Sequence, residues 1–169
     1  MISRHDMLDA IIKECEICKH LYTKIPADTF DFRPTPGQRS TLELLRYLSI
    51  CGSAPLHVVL NGSDWSLWKS FSERSATMTA EEFPAAMDRQ IEEIKNLFAA
   101  IADTDLRSLD VKHPRGEVMK LGTGIVRMPL GWLTAYRMQL FLYAKQSGAS
   151  DIGTSNNWAG VDRAPAQAK

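Results

Sequence analysis

The chain has 169 residues, the length of one ordinary domain and enough to bury a core without disulfides or a structural metal. Lys plus Arg and Asp plus Glu both number 20, so the basic excess that phosphate-backbone binding draws on is missing and nucleic acid is not an expected partner. With 44% hydrophobic and 24% charged residues, and no apolar run near the roughly 20 residues that a membrane span needs, the composition is that of a globular domain rather than a membrane protein.

The start, Met-Ile-Ser-Arg-His-Asp, carries no apolar signal-peptide core, and three cysteines cannot all pair within one chain. A reducing cytoplasm is the expected setting. From Arg4 to Lys24 the residues Leu8, Ile11, Ile12, Cys15, Cys18, Leu21 and Tyr22 recur at three- and four-residue steps, which predicts a first helix with one apolar face. Residues 25–38 hold three prolines and a glycine, so the backbone leaves the helix there and forms a loop. Ser40-Thr-Leu-Glu43 then matches a capping box and predicts a second helix from Thr41 to about Cys51. Gly52 and Pro55 interrupt it, and residues 54–60 resume it until Asn61-Gly62 provides a stop.

A second capping box, Thr79-Ala-Glu-Glu82, opens the clearest periodic segment: Phe83, Met87, Ile91, Ile94, Phe98 and Ile101, with Pro84 in the first turn and charges between the apolar steps. Residues 103–127 read as a long connection in which residues 111–118 form two short extended pieces around a Pro-Arg-Gly turn. Pro129 is placed to start a last helix, apolar on nearly every side, that ends at Ser147-Gly148. The expected fold is all-α, a four-helix bundle with a minor β-hairpin in the long connection before the last helix. The domain is expected to span residues 1–158, with 159–169 a flexible tail.

Two stretches, Phe32-Arg-Pro-Thr-Pro-Gly-Gln-Arg-Ser-Thr-Leu-Glu-Leu-Leu-Arg-Tyr-Leu and the late Tyr136-Arg-Met-Gln-Leu-Phe-Leu-Tyr-Ala-Lys, in this order and at this separation, resemble the DinB-like (DNA-damage-inducible) four-helix-bundle family. The resemblance covers most of the chain, from the first helix through Trp158. In the family's enzymes a divalent metal is held by three histidines, one on the second helix and two spaced four apart on the last. Those positions fall on Tyr47, Trp132 and Tyr136 in this sequence. An indole offers a metal no lone pair, and a phenol with a pKa near ~10 offers a poor one. The expectation is therefore no metal there, and instead an aromatic cluster that either plugs the cavity or lines a small-ligand pocket.

Cys15-Glu-Ile-Cys18-Lys-His20 pairs soft ligands at short spacing, but it lacks a second Cys/His pair and a helix interior disfavours a disulfide between the two thiols. Buried structural cysteines are the expected outcome. Among His5, His20, His57 and His113, His57 is the nearest in sequence to Tyr47. Glu81 and Glu82 are assigned to capping, and Arg137 and Gln139 to buried hydrogen bonds. The apolar excess of the last helix, at Met138, Phe141, Leu142 and Tyr143, suggests a homodimer, unless the Asn-Asn-Trp segment covers that face.

Together these readings imply a cytoplasmic, DinB-like small-ligand-binding or interaction module with no metal or other cofactor, in a stress or detoxification context. The alternative is an enzyme. It would be a thiol-dependent transferase or a metal-dependent, hydrolase-like protein, working through a displaced metal near His57 or Cys15 or through Tyr47 and Tyr136 as polar groups in an aromatic pocket. A purely structural homodimer is the third.

Overall fold

Ser3 opens the first helix of the computed structural model, which describes residues 2–163. Its hydroxyl accepts the Asp6 amide at 3.2 Å and the Asp6 carboxylate takes the Ser3 amide at 2.8 Å, so α1 (Arg4–Tyr22) begins with two orphan donors satisfied. Ile11, Cys15, Cys18 and Leu21 are buried along one face, as their spacing predicts, and Ile17 is buried on a second side. The loop that follows is tied to the next helix by backbone bonds from Thr41 to Phe32 and from Leu42 to Phe30. The expected capping box at Ser40 and Glu43 starts α2 (Thr41–Leu48).

The expected break in the second helix is present, and α3 (Ser53–Leu60) resumes after it. Pro55 brings no amide, and a Cβ on Gly52 would lie 2.9 Å from Leu133 Cδ1, so the missing side chain lets Leu133 pack close to the break. Gln90, 1% exposed, fills the gap. Its side-chain oxygen accepts the Gly52 and Ser53 amides at 2.8 and 3.2 Å, while its Nε2 donates to the Leu48 carbonyl at 2.9 Å. A regular helix would join Gly52 to Leu48 directly; here one amide side chain is inserted into that bond.

Residues 63–78, to which the sequence reading assigned no element, form a single 3₁₀ turn at Trp65–Leu67 and then α4 (Trp68–Ala76). The Thr79 amide donates to the Glu82 carboxylate at 2.8 Å, and α5 (Phe83–Ala99) follows with Pro84 in its first turn. Phe83, Met87, Ile91, Ile94 and Phe98 are buried as their spacing requires, each such side chain worth roughly 1.5–3 kcal/mol when fully withdrawn from water. After α6 (Asp105–Ser108), β1 (Asp110–Lys112) and β2 (Val118–Lys120) form the expected antiparallel hairpin, with Val111 opposite Met119.

The last helix does not start at Pro129. Helical backbone begins at α7 (Leu121–Ile125), passes through a wide turn at Val126–Leu130, and continues as α8 (Gly131–Gln146). Proline is tolerated inside because the turn is a π-bulge: the Gly131 amide donates back to the Val126 carbonyl, five residues earlier, so the ladder is already reset where Pro129 lacks a donor. A Cβ on Gly131 would sit 2.9 Å from that carbonyl oxygen. Nor is α8 buried all round. Leu133, Arg137, Leu140, Tyr143 and Ala144 form one buried stripe.

Mostly helical with one small sheet, the chain is held together by α1, which packs along both α5 and α8, while α2 lies on α8 and α3 on α5. The segment Ser155–Ala159 forms a second wide turn against α1 and α8. Its contacts run past residue 158, where the tail was expected to begin: Lys13 Nζ donates to the Ala159 carbonyl at 2.8 Å and Lys24 Nζ meets Asp162 at 2.7 Å. The rest of the expected tail, residues 164–169, lies outside the described residues.

Gln90→Leu strands the buried Leu48 carbonyl and Gly52 amide, at about 1–3 kcal/mol for each unsatisfied group. Denaturant unfolding should report a loss of about 2–4 kcal/mol; a loss under about 0.5 kcal/mol would mean that the break is held by something else. A hydrogen bond from Arg33, above all, and the Ser40 amide hold the Glu43 carboxyl at about 2, against an ordinary value of 4.5. Its pKa is lower folded than unfolded, so the stability it adds is present above pH 4.5 and lost as pH falls through about 2. Glu43→Gln should flatten that part of a plot of Tm against pH.

Candidate functional site

Trp132 and Tyr136 stand four residues apart on α8, hence on one face, and Tyr47 lies on the last turn of α2 before the break. Because α2 packs on α8, the Tyr47 and Tyr136 rings meet with centroids 4.6 Å apart at 58°. Trp132 joins them through residues that the sequence reading did not single out. Trp68 lies 6.0 Å from Tyr47 and edge-on to Trp132 at 5.9 Å, and Trp65 is 6.3 Å from Trp68 and 6.2 Å from Trp132. Aromatic pairs at such separations are favourable contacts, each worth about 0.5–1.5 kcal/mol beyond area burial. The five half-buried rings form one continuous wall.

A local signal for the two missed tryptophans is present in Asn61-Gly-Ser-Asp64, a turn followed by a helix cap. The Asp64 carboxylate accepts the Ser66 amide at 3.0 Å, and Ser63 takes the left-handed conformation that such a turn needs, with φ 60°. This segment also anchors the hairpin: Ser63 Oγ accepts the Lys112 amide and Trp65 Nε1 donates to the Lys112 carbonyl, both at 2.8 Å.

The hairpin loop and the aromatic wall face each other across a cleft of about 490 Å³. Tyr47, Trp132 and Tyr136 line one side; His113, Pro114, Arg115, Glu117 and Arg127 line the other. An adjoining opening of about 390 Å³ is bounded by Trp65 and Trp68 and shares Tyr47, Pro114 and Trp132 with the first. Both volumes fall in the range of about 300–1,000 Å³ common to small-molecule sites. A larger depression of about 540 Å³, beside Met7, Leu106, Lys120 and Gly122, is bordered by none of the five aromatic rings. The convergence of aromatic and charged groups therefore marks the smaller cleft, not the larger one.

Arg39 lies over two of the wall's rings, its guanidinium carbon 4.5 Å from the Tyr47 centroid and 5.5 Å from that of Tyr136. Arg127 and Glu117 form a two-point ion pair across the hairpin's edge, with Arg127 Nη2 to Glu117 Oε2 at 2.9 Å, which holds the Glu117 carboxyl below its ordinary range and raises the guanidinium. Arg115 has no ion-pair partner among the described residues. Burial, reinforced by the neighbouring Cys51 and Tyr136, pushes the Tyr47 phenol well above its ordinary value. At neutral pH Tyr47 is a neutral hydroxyl that can donate a hydrogen bond.

The remaining sequence candidates go elsewhere. His57 on α3 stacks on Phe71 at 5.2 Å, and His5 meets Asp9 at 3.5 Å on the exposed side of α1. His20 Nε2 lies 3.0 Å from the Asn156 amide nitrogen, which can only donate, so this nitrogen accepts and the ring is neutral; burial, then Lys24, lowers its pKa despite Asp162 at 3.7 Å. Of the capping box expected at Thr79 and Glu82 one half is present, the Thr79 amide donating to the Glu82 carboxylate, while no side-chain bond caps the first turn of α5; Glu81 is held below its ordinary range by hydrogen bonds from its own amide and from Thr79. Arg137, 1% exposed, pairs with Glu14 and donates to Asn157 Oδ1 at 2.7 Å, while Gln139 donates to the Tyr143 hydroxyl at 2.6 Å. Arg137 thus has the buried hydrogen-bonding role expected of it, while Gln139 makes its hydrogen bond from a half-buried position. Tyr143 is buried within the chain and the Asn157 amide meets Met138 Sδ at 3.6 Å, leaving Leu142 as the exposed apolar residue among the four assigned to a dimer face.

No group of three His, Cys, Asp or Glu side chains among the described residues is placed to hold a metal ion. No family model matches the chain, and no curated protein matches it.

Cys15, Cys18 and Cys51 are buried free thiols, and burial, more than any neighbouring charge, pushes all three well up. Native protein at pH 8 should therefore leave Ellman's reagent unreacted over an hour, and protein unfolded in guanidinium should release three equivalents. A fast-reacting native thiol would show that one of them reaches solvent.

Proposed function

We propose that the chain is a DinB-like four-helix-bundle protein that binds a small organic molecule in the aromatic cleft, in place of the family's metal. The four long pieces of that bundle are α1, the broken α2–α3 pair, α5 and α8. One observation carries the reading: Tyr47, Trp132 and Tyr136, the positions to which the resemblance assigns the site, come from opposite halves of the chain and line one cleft. A concave site with aromatic walls, a few polar groups and a half-buried phenol is built to take up a planar apolar body and orient it. A cytoplasmic role in stress or detoxification belongs to the same reading, through the resemblance. So does the homodimer, whose contact would use the outer face of α8 around Leu142, 46% exposed. A sedimentation mass of 18.9 kDa, rather than twice that, would rule the dimer out.

Three of the four tryptophans line the site and the fourth, Trp158, lies on the wide turn at Ser155–Ala159, which makes indole N–H signals a direct readout. Titration with the neutral probe naphthalene-2-carboxamide should shift the Trp65, Trp68 and Trp132 signals and leave that of Trp158 in place. Trp132→Ala should weaken binding about tenfold or more, in line with about 1.4 kcal/mol for a lost aromatic contact. Shifts spread equally over all four would sink the proposal.

A further inference from the structure

Resting on that reading, we infer that the ligand is a flat aromatic anion: a ring system seated against Trp65, Trp68 and Trp132, bearing a carboxylate or similar acidic group that meets Arg115.

The choice turns on charge. Aromatic walls by themselves suit cations as well as neutral rings. Here, however, the protein has already set its own cation over Tyr47 and Tyr136, since the Arg39 guanidinium covers both rings. A second cation in the cleft would meet that charge together with Arg115 and Arg127, against Glu117 alone, and Glu117 is already engaged by Arg127. Arg115 is thus the arginine of the cleft with no acidic partner among the described residues, and an unpaired guanidinium beside apolar walls favours an acidic group.

Position agrees with charge. Pro114 and Trp132 border both the apolar opening and the charged cleft, and Arg115 follows Pro114 directly on the loop. A rigid molecule lying across that shared edge has its ring on the tryptophan side and its acid on the Arg115 side. Tyr47 lines the same cleft as Arg115, so its hydroxyl can donate to the same acid. The protein's net charge is zero, so the local surplus at this cleft is a property of the site and not of the whole surface.

The test uses the full chain and three probes of one shape: naphthalene-2-carboxylate, naphthalene-2-carboxamide and 2-naphthylmethylammonium, each titrated by calorimetry and by the indole signals. The carboxylate should bind about tenfold or more tighter than the amide, the ammonium should bind weakest, and added salt should narrow the gap. Arg115→Gln should bring the carboxylate to within about twofold of the amide with an unchanged melting temperature, which separates lost charge from lost fold. An amide or ammonium that binds as tightly as the carboxylate overturns the charge assignment but leaves the pocket. An unchanged preference in Arg115→Gln overturns the role of Arg115. Failure of all three probes overturns the ligand-binding reading itself, and this inference with it.

Discussion

The side-chain amide of Gln90 is the interaction on which the geometry of the site depends. A helix broken at Gly52 and Pro55 leaves backbone groups that a buried environment penalises by about 1–3 kcal/mol each unless they are met. Gln90 meets three of them at once, from a different helix. The break is thereby fixed rather than loose, with α2 lying on α8 and α3 free to lie on α5. Had Thr41–Leu60 been one straight helix, its last turns would have left one of those partners. Tyr47, one residue from the carbonyl that Gln90 holds, takes its position against Tyr136 from this joint.

A second buried polar centre does comparable work at the other side of α8. Arg137 is withdrawn from water, and such a charge is tolerable only when paired and hydrogen-bonded. Glu14 supplies the charge and Asn157 the hydrogen bonds, so α1, α8 and the turn at Ser155–Ala159 are joined through one guanidinium. Trp158 stacks on it at 5.3 Å while remaining 62% exposed itself. This is how the Asn-Asn-Trp segment lies against the last helix: by polar contact with Arg137 and Met138, not by burying an apolar face. The two centres differ in kind, because Gln90 repairs an interrupted backbone and Arg137 clamps separate segments.

Much of the fold was legible in the sequence because its signals are local. Ser3, Ser40 and Glu43 cap, Gly52 and Pro55 break, the apolar residues of α5 step by three and four, and Pro114-Arg-Gly116 turns a hairpin. The misses have physical causes too. Trp65 lies in a single 3₁₀ turn and Trp68 opens a helix of nine residues whose buried side is short, so no long periodicity announces them. Pro129 looks like a helix start because proline suits the first turn, yet the same ring is accommodated by a π-bulge that only the Gly131–Val126 bond reveals. Gln90 reads as a polar residue on a helix; nothing in its neighbours says that its partners are forty residues away. Of the site, the resemblance supplied three positions that do come together in one cleft. The opposite wall, from His113 to Arg127, is tertiary and has no sequence spacing to read.

The bulge at Val126–Leu130 also sets a phase. Each residue of a helix turns the next by about 100°, so one extra residue in the ladder offsets everything after it by that angle relative to everything before. Upstream, Leu121 and Ile125 are buried in the core; downstream, Leu133 and Leu140 are buried too, and Trp132 and Tyr136 still reach the cleft. A rod with a single phase would have to compromise between seating the hairpin side and aiming the aromatic side. Splitting the rod with a bulge lets the two requirements be satisfied separately, so that either half can change in sequence without dragging the other's orientation with it.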